Sequence, residues 1–148
     1  SAQVNGFITG KIKKWDQLLV NGIPLTQLAG VTALTFDMFG SNIVGPLVHM
    51  CRRVPGSGTQ AQMNAVFANT PCTEGVLQPA RAANSNPFTG PIIQENSGSG
   101  DVTTCLADQL AAGHWALGVQ SLEKVDASLR FPKIDGVAPT LKNFADNK

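Results

Sequence analysis

The residues with the clearest chemical potential lie together between positions 52 and 60, where the chain reads Arg52-Arg53-Val54-Pro55-Gly56-Ser57-Gly58-Thr59-Gln60. A guanidinium offers a flat, two-pronged set of N–H donors suited to tetrahedral oxyanions. Serine and threonine hydroxyls can donate to the same oxygens. Glycines let the backbone turn tightly and let a ligand come close. A helix that starts here adds unpaired amides and the positive end of its dipole. Together these groups suit the capture of a small anion. The segment is not a nucleotide-binding P-loop, because the Gly-Lys-Ser/Thr ending is absent and Gln60 follows Thr59. Taken alone, Gly56-Ser57-Gly58-Thr59 also reads as a plain turn with Ser57 or Thr59 as the helix cap.

Other chemistry-bearing residues carry less. Ser97-Gly98-Ser99-Gly100-Asp101 could form a second anion nest. Asp101 at the helix start is itself an anion, however, and a structural turn is expected there. His49 sits between Val48 and Met50 and reads as a core or edge histidine, while His114 lies beside Trp115 with no nucleophile in view. No paired carboxylates and no nucleophile elbow are found, so no catalytic residues, cofactor or enzymatic activity are expected. Cys51, Cys72 and Cys105 lack a CxxC spacing and a nearby histidine, so no metal site is expected from them. Cys51 reads as a small buried hydrophobe. An oxidising compartment would let two of the three pair, leaving the third free, and whether Cys72 joins Cys105 is left open by the sequence.

To position Arg53 beside the glycine turn, the chain must place a strand before it and a helix after it. Leu47 to Arg53 is apolar enough for a buried strand, and a helix is predicted from about Thr59 to Asn69, with Met63, Val66 and Phe67 on one face. Successive strand residues face opposite ways, so only one of Arg52 and Arg53 should reach the site. A first helix is expected from a Ser1 cap to Gly10, carrying Val4, Phe7 and Ile8, and Trp15 should pack the next short segment onto the sheet. Lys11, Lys13 and Lys14 read as a solvated face. Val31 to Phe36 has strand composition within the poorly legible stretch from Asn21 to Gly45, and Pro71 to Pro91 is loop-rich. Further on, Ile92 to Glu95 reads as a strand. A helix with Val102, Cys105, Leu106 and Leu110 inward follows it, and then a buried strand from Trp115 to Val119. Strands alternating with helices predict an α/β fold with a mixed, mainly parallel sheet flanked by helices.

Bulk properties agree with one domain. The 148 residues suffice for a hydrophobic core, and 43% are apolar. Eleven basic against ten acidic residues give a net charge of +1, which leaves no electrostatic footprint for nucleic acid or an anionic membrane.

Four segments, in order, resemble the phosphate-binding proteins of bacterial ABC importers. They are Phe7-Ile8-Thr9-Gly10-Lys11-Ile12-Lys13-Lys14-Trp15-Asp16, then Arg53 to Thr59, then Gly113-His114-Trp115-Ala116-Leu117-Gly118-Val119, and finally Asp135-Gly136-Val137-Ala138-Pro139-Thr140-Leu141-Lys142-Asn143-Phe144. The resemblance implies a type II periplasmic-binding-protein fold that holds its ligand between two lobes. It implies ligand roles for Arg53, Ser57, Gly58 and Thr59. Residues 1–148 would then be a single anion-binding lobe, with the first lobe absent. The expected partners are phosphate or a similar oxyanion, that missing lobe and a membrane permease, in a periplasmic or other extracytoplasmic location. A related two-lobed protein used for sensing, secretion or surface attachment is the alternative. Pro55 departs from the family, which often places an acid between the Arg and the Gly-Ser-Gly-Thr, and the family's Tyr before Val119 is missing.

Overall fold

The computed structural model describes residues 2–31, 35–68, 79–80, 88–121, 124 and 126–146, the side chain of residue 144 excepted. Its centre is β5 (His49–Arg53), a five-residue strand whose first four members are buried. β6 (Ile92–Asn96) and β7 (Ala116–Gly118) flank it, and both pair with it in parallel. The register joins His49 to Ile92 and Arg53 to Asn96 on one side, and His49 to Ala116 and Cys51 to Gly118 on the other. A parallel central strand is covered on both faces, which explains why it reads as an apolar run without clean alternation. The fold is therefore α/β, built on a three-stranded parallel sheet flanked by helices.

Each face of β5 has its own cover. Cys51 packs with Val102 and Cys105 of α3 (Ser99–Ala111), and Leu106 and Ala116 close around them. On the opposite face Val48 packs with Trp15 and with Phe7 of α1 (Ala2–Ile8), while Met50 meets Ala80 and Ile93. Trp15 holds its place by an edge-on contact with Trp115, ring centroids 5.5 Å apart, and its indole N–H donates to the Trp115 carbonyl. It packs the short segment onto the sheet as its type suggested. α2 (Gly58–Phe67) follows β5 and packs Met63 against Ile8 of α1. α3 approaches β7 closely because residue 118 is a glycine: a Cβ there would lie 3.0 Å from both Leu106 Cδ1 and Val102 Cγ1.

Among the described residues of the stretch from Asn21 to Gly45, two small hairpins stand out. β1 (Leu19–Val20) pairs with β2 (Ile23–Pro24) across Asn21-Gly22, both with positive φ, the turn chemistry that hairpins favour. β3 (Asp37–Phe39) pairs with β4 (Asn42–Gly45) across Gly40-Ser41. The strand expected over Val31 to Phe36 is not found in its described residues, and 32–34 lie outside them. Residues 135 and 136, both with positive φ, turn the chain between Ile134 and Val137. Thr140 then caps α4 (Leu141–Ala145) by accepting from the Asn143 amide at 3.1 Å.

Several expectations need correction. Leu110 and Val66 do not face inward: they are 59% and 72% exposed, because α2 and α3 each bury a stripe narrower than their apolar composition implied. β7 is half-buried rather than buried, since it stands at the edge of the sheet order β6-β5-β7. Lys11 and Lys13 are exposed, whereas Lys14 is half-buried. Cys51 is buried as read, but it is bonded to Cys105, 54 positions away in sequence. Cys105 is therefore not free to join Cys72, which lies outside the described residues.

The Cys51–Cys105 bond ties the central strand to the helix above it. Closing a loop of this length restricts the unfolded chain more than closing a short one, and such bonds contribute about 2–4 kcal/mol. Replacing Cys105 with Ala should lower the unfolding free energy by about that amount in denaturant titrations. Equal midpoints for the parent and the variant would show that the bond contributes nothing.

Candidate functional site

Strand alternation sends the two arginines to opposite faces. Arg52 is buried at 4% exposure on the face away from α3, where Nη1 donates to the Ala80 carbonyl and Nε lies 3.9 Å from Glu95 Oε1. Arg53 is half-buried on the α3 side, at the carboxyl end of β5. Its guanidinium spans to the turn after β6, with Nη2 donating to the Ser97 carbonyl at 2.7 Å and Nη1 to Ser99 Oγ at 2.9 Å. Among the described residues its buried Nε has no partner. Gln120, just past β7, reaches the same place and donates to Ser99 O at 3.2 Å and Thr103 Oγ1 at 2.7 Å. The carboxyl ends of all three parallel strands thus converge on the first turn of α3. In open α/β sheets this edge is where ligands bind.

The glycine turn lies at the same edge. Ser57 is buried and caps α2, its Oγ accepting from the Gln60 amide at 3.4 Å. With Oγ used as acceptor, its hydroxyl proton remains able to donate. Gly56 and Gly58 are exposed, and a Cβ on either would meet nothing within 4 Å. Gly58 and Thr59 occupy the first two helical positions, where amides have no intrahelical partner. The structure places Ser57, Gly58 and Thr59 at the helix start as the sequence predicted. The hydrogen bonds of Arg53, however, run to the α3 turn rather than to these three residues. A groove of about 450 Å³ opens beside Thr59 and is bounded by Met63, Phe67, Val119, Gln120 and Ser121.

The two helix starts at this edge are not equivalent. Asp101 folds back onto its own turn, its Oδ2 accepting from the Gly98 amide and from Ser97 Oγ, both at 2.8 Å. The start of α3 therefore carries its own anion, which supports the structural reading of Ser97 to Asp101. The first turn of α2 carries no acid.

A third cluster was not legible in the sequence. Asp37, His49 and His114 converge at the amino end of the sheet, with His49 Nε2 2.8 Å and His114 Nε2 3.8 Å from Asp37 Oδ1. The two imidazoles stack, ring centroids 4.3 Å apart. Burial holds the His49 pKa below its ordinary value, His114 adds to this in a small way, and the Asp37 carboxylate opposes it through charge and hydrogen bond. The expectation of a core histidine fits His49 on burial. Among the described residues, however, its Nδ1 finds no partner. No sequence spacing could have joined these three, since they come from a hairpin, a strand and a turn far apart along the chain.

Comparison with known proteins returns no matching family model, no matching curated protein and no matching solved structure. Among the described residues no helix is long and apolar enough to cross a membrane.

The Asp101 cap has a pH signature. The hydrogen bond from Ser97, then that from the Gly98 amide, hold its carboxyl below the ordinary 3.8, with Arg53 assisting and desolvation opposing. A depressed carboxyl contributes stability that is present above its unfolded value and is lost as pH falls through the folded one. The Asp101→Asn variant should therefore lack part of the acid-side decline seen in the parent below about pH 4. Denaturation midpoints followed across that range check this, and superimposable pH profiles would remove the carboxylate from the account.

Proposed function

We propose that this chain is the anion-binding lobe of a two-lobed extracytoplasmic substrate-binding protein that captures an inorganic oxyanion, phosphate foremost, for ABC-type import. The observation that carries the reading is the succession at one sheet edge. A strand ends in Arg53, and an open glycine turn and a helix start, whose first amides lack intrahelical partners, follow it. A strand buried over its first four residues, followed by a helix start with no acid in its first turn, is what the type II periplasmic-binding-protein fold would require of such a lobe. The ligand donors are the Arg53 guanidinium, the Ser57 and Thr59 hydroxyls, and the amides of Gly58 and Thr59. The Cys51–Cys105 bond supports an oxidising, extracytoplasmic location. A membrane permease and a second lobe are the partners that this reading entails.

One observation favours the alternative of a related two-lobed protein for sensing, secretion or attachment, with weak or no phosphate binding. Both Nη atoms of Arg53 are already engaged by Ser97 and Ser99. These bonds use two of the five guanidinium N–H groups and aim the group at the α3 turn, so an anion at the start of α2 must be met by the remaining N–H groups.

Half a cleft supplies half the donors and cannot close, so this chain alone should bind phosphate weakly, on the order of millimolar. Amide resonances of Gly58 and Thr59 should move on titration with phosphate, less so with chloride at equal ionic strength. Replacing Arg53 with Ala should weaken that binding by about 1.5–3 kcal/mol, the range for hydrogen bonds to charged groups, while replacing Arg52 leaves the shifts in place. Identical titrations for the parent and the Arg53→Ala variant would overturn the assignment.

A further inference from the structure

The chain has two histidines in all, and the fold brings both to one carboxylate. We propose that Asp37, His49 and His114 form a site for a single divalent transition-metal ion of the zinc class. The donor atoms of the three residues lie within 4.8 Å of one another. A tetrahedral ion with bonds of about 2.0–2.1 Å spaces its donors roughly 3.3 Å apart. The two imidazole-to-carboxylate separations, 2.8 and 3.8 Å, bracket that spacing. Two imidazoles and a carboxylate are a ligand set that zinc and its late-transition neighbours accept, with water completing the shell.

The supporting contacts are those that orient metal ligands. Gln109 Oε1 lies 3.2 Å from His114 Nδ1 and can only accept, so the neutral ring keeps its proton there and turns the Nε2 lone pair to Asp37. The other oxygen of Asp37 is held by the Leu47 amide at 3.1 Å. His49 Nδ1 is buried without a partner among the described residues, so Nε2 is the ring nitrogen that meets the carboxylate. Nε2 is hydrogen-bonded to Asp37, and on ligation it would present its lone pair to the metal with the ring proton on Nδ1. The ring planes are inclined by only 17°. Joint ligation therefore needs the His114 ring to swing out of the stack, which its half-buried position permits.

The backbone places all three residues at one point. His49 opens β5, and His114 follows a glycine turn with positive φ just before β7. Asp37 opens β3, and the Thr35 amide beside it donates to the Gly113 carbonyl at 3.0 Å. A bound ion would staple the β3–β4 hairpin to the amino end of the sheet. Arg53 stands at the other end of the same strand, so metal and oxyanion would bind independently.

The test uses the tag-free, metal-free chain at neutral pH. Titration with Co²⁺ should saturate at one equivalent with visible d–d absorption, and Zn²⁺ should bleach it and raise the melting temperature. His114→Ala and Asp37→Asn, checked for folding by circular dichroism, should each weaken Co²⁺ binding at least about tenfold. Phosphate-induced shifts at Gly58 and Thr59 should not change with the metal. Absence of saturable binding in the parent, or equal binding by the parent and both variants, would overturn the proposal.

Discussion

From Leu47 to Arg52 every residue is buried, and two of the six, His49 and Arg52, carry ionisable side chains. Buried polar groups must find partners inside the protein, because an unmet hydrogen bond or charge costs several kcal/mol. That requirement organises the rest of the molecule. Arg52 draws in the Ala80 carbonyl and, at longer range, Glu95. His49 draws in Asp37, and with it the hairpin that carries Asp37. Asn96 closes the far end by donating to the Arg52 carbonyl at 3.1 Å.

The same strand spaces the chemistry. Alternation puts His49, Cys51 and Arg53 on the face toward α3, in that order. Cys51 is covalently fixed to α3, and Gly118 lets that helix lie close on β7. A rigid middle thus separates two polar ends about 13 Å apart, at roughly 3.3 Å per strand residue. One end gathers imidazoles and a carboxylate, the other a guanidinium and open amides. Groups held on a packed strand keep their geometry better than groups on loops.

The carboxyl end illustrates how neighbouring helix starts diverge. Both follow a glycine- and serine-rich turn after a parallel strand, and both present amides. In α3 the third helical residue is Asp101, whose carboxylate satisfies the Gly98 amide and draws the Ser97 hydroxyl. In α2 the third residue is Gln60, whose side chain instead donates to Asn64 at 2.8 Å. The difference of one residue type leaves the positive end of α2 uncompensated, which is the condition for attracting an external anion.

Local signals in the sequence determined the strand ending at Arg53, the helix beginning beside Ser57, the strand at 92–96 and the helix carrying Val102 and Cys105. Each rests on periodicity, glycine turns or capping, which act over a few residues. Alternation also sufficed to send Arg52 and Arg53 apart. The Asn21-Gly22 hairpin is equally local, its signal being the Asn-Gly pair itself. What tertiary structure alone decided are the long-range pairings: Cys51 with Cys105, Arg53 with the turn after β6, and Asp37 with the two histidines. It also decided that β7 stands at the sheet edge and that Val66 and Leu110 face outward. Composition fixes how much surface can be buried, but which surface is buried depends on neighbours brought from elsewhere in the chain. No spacing in a single sequence encodes those neighbours.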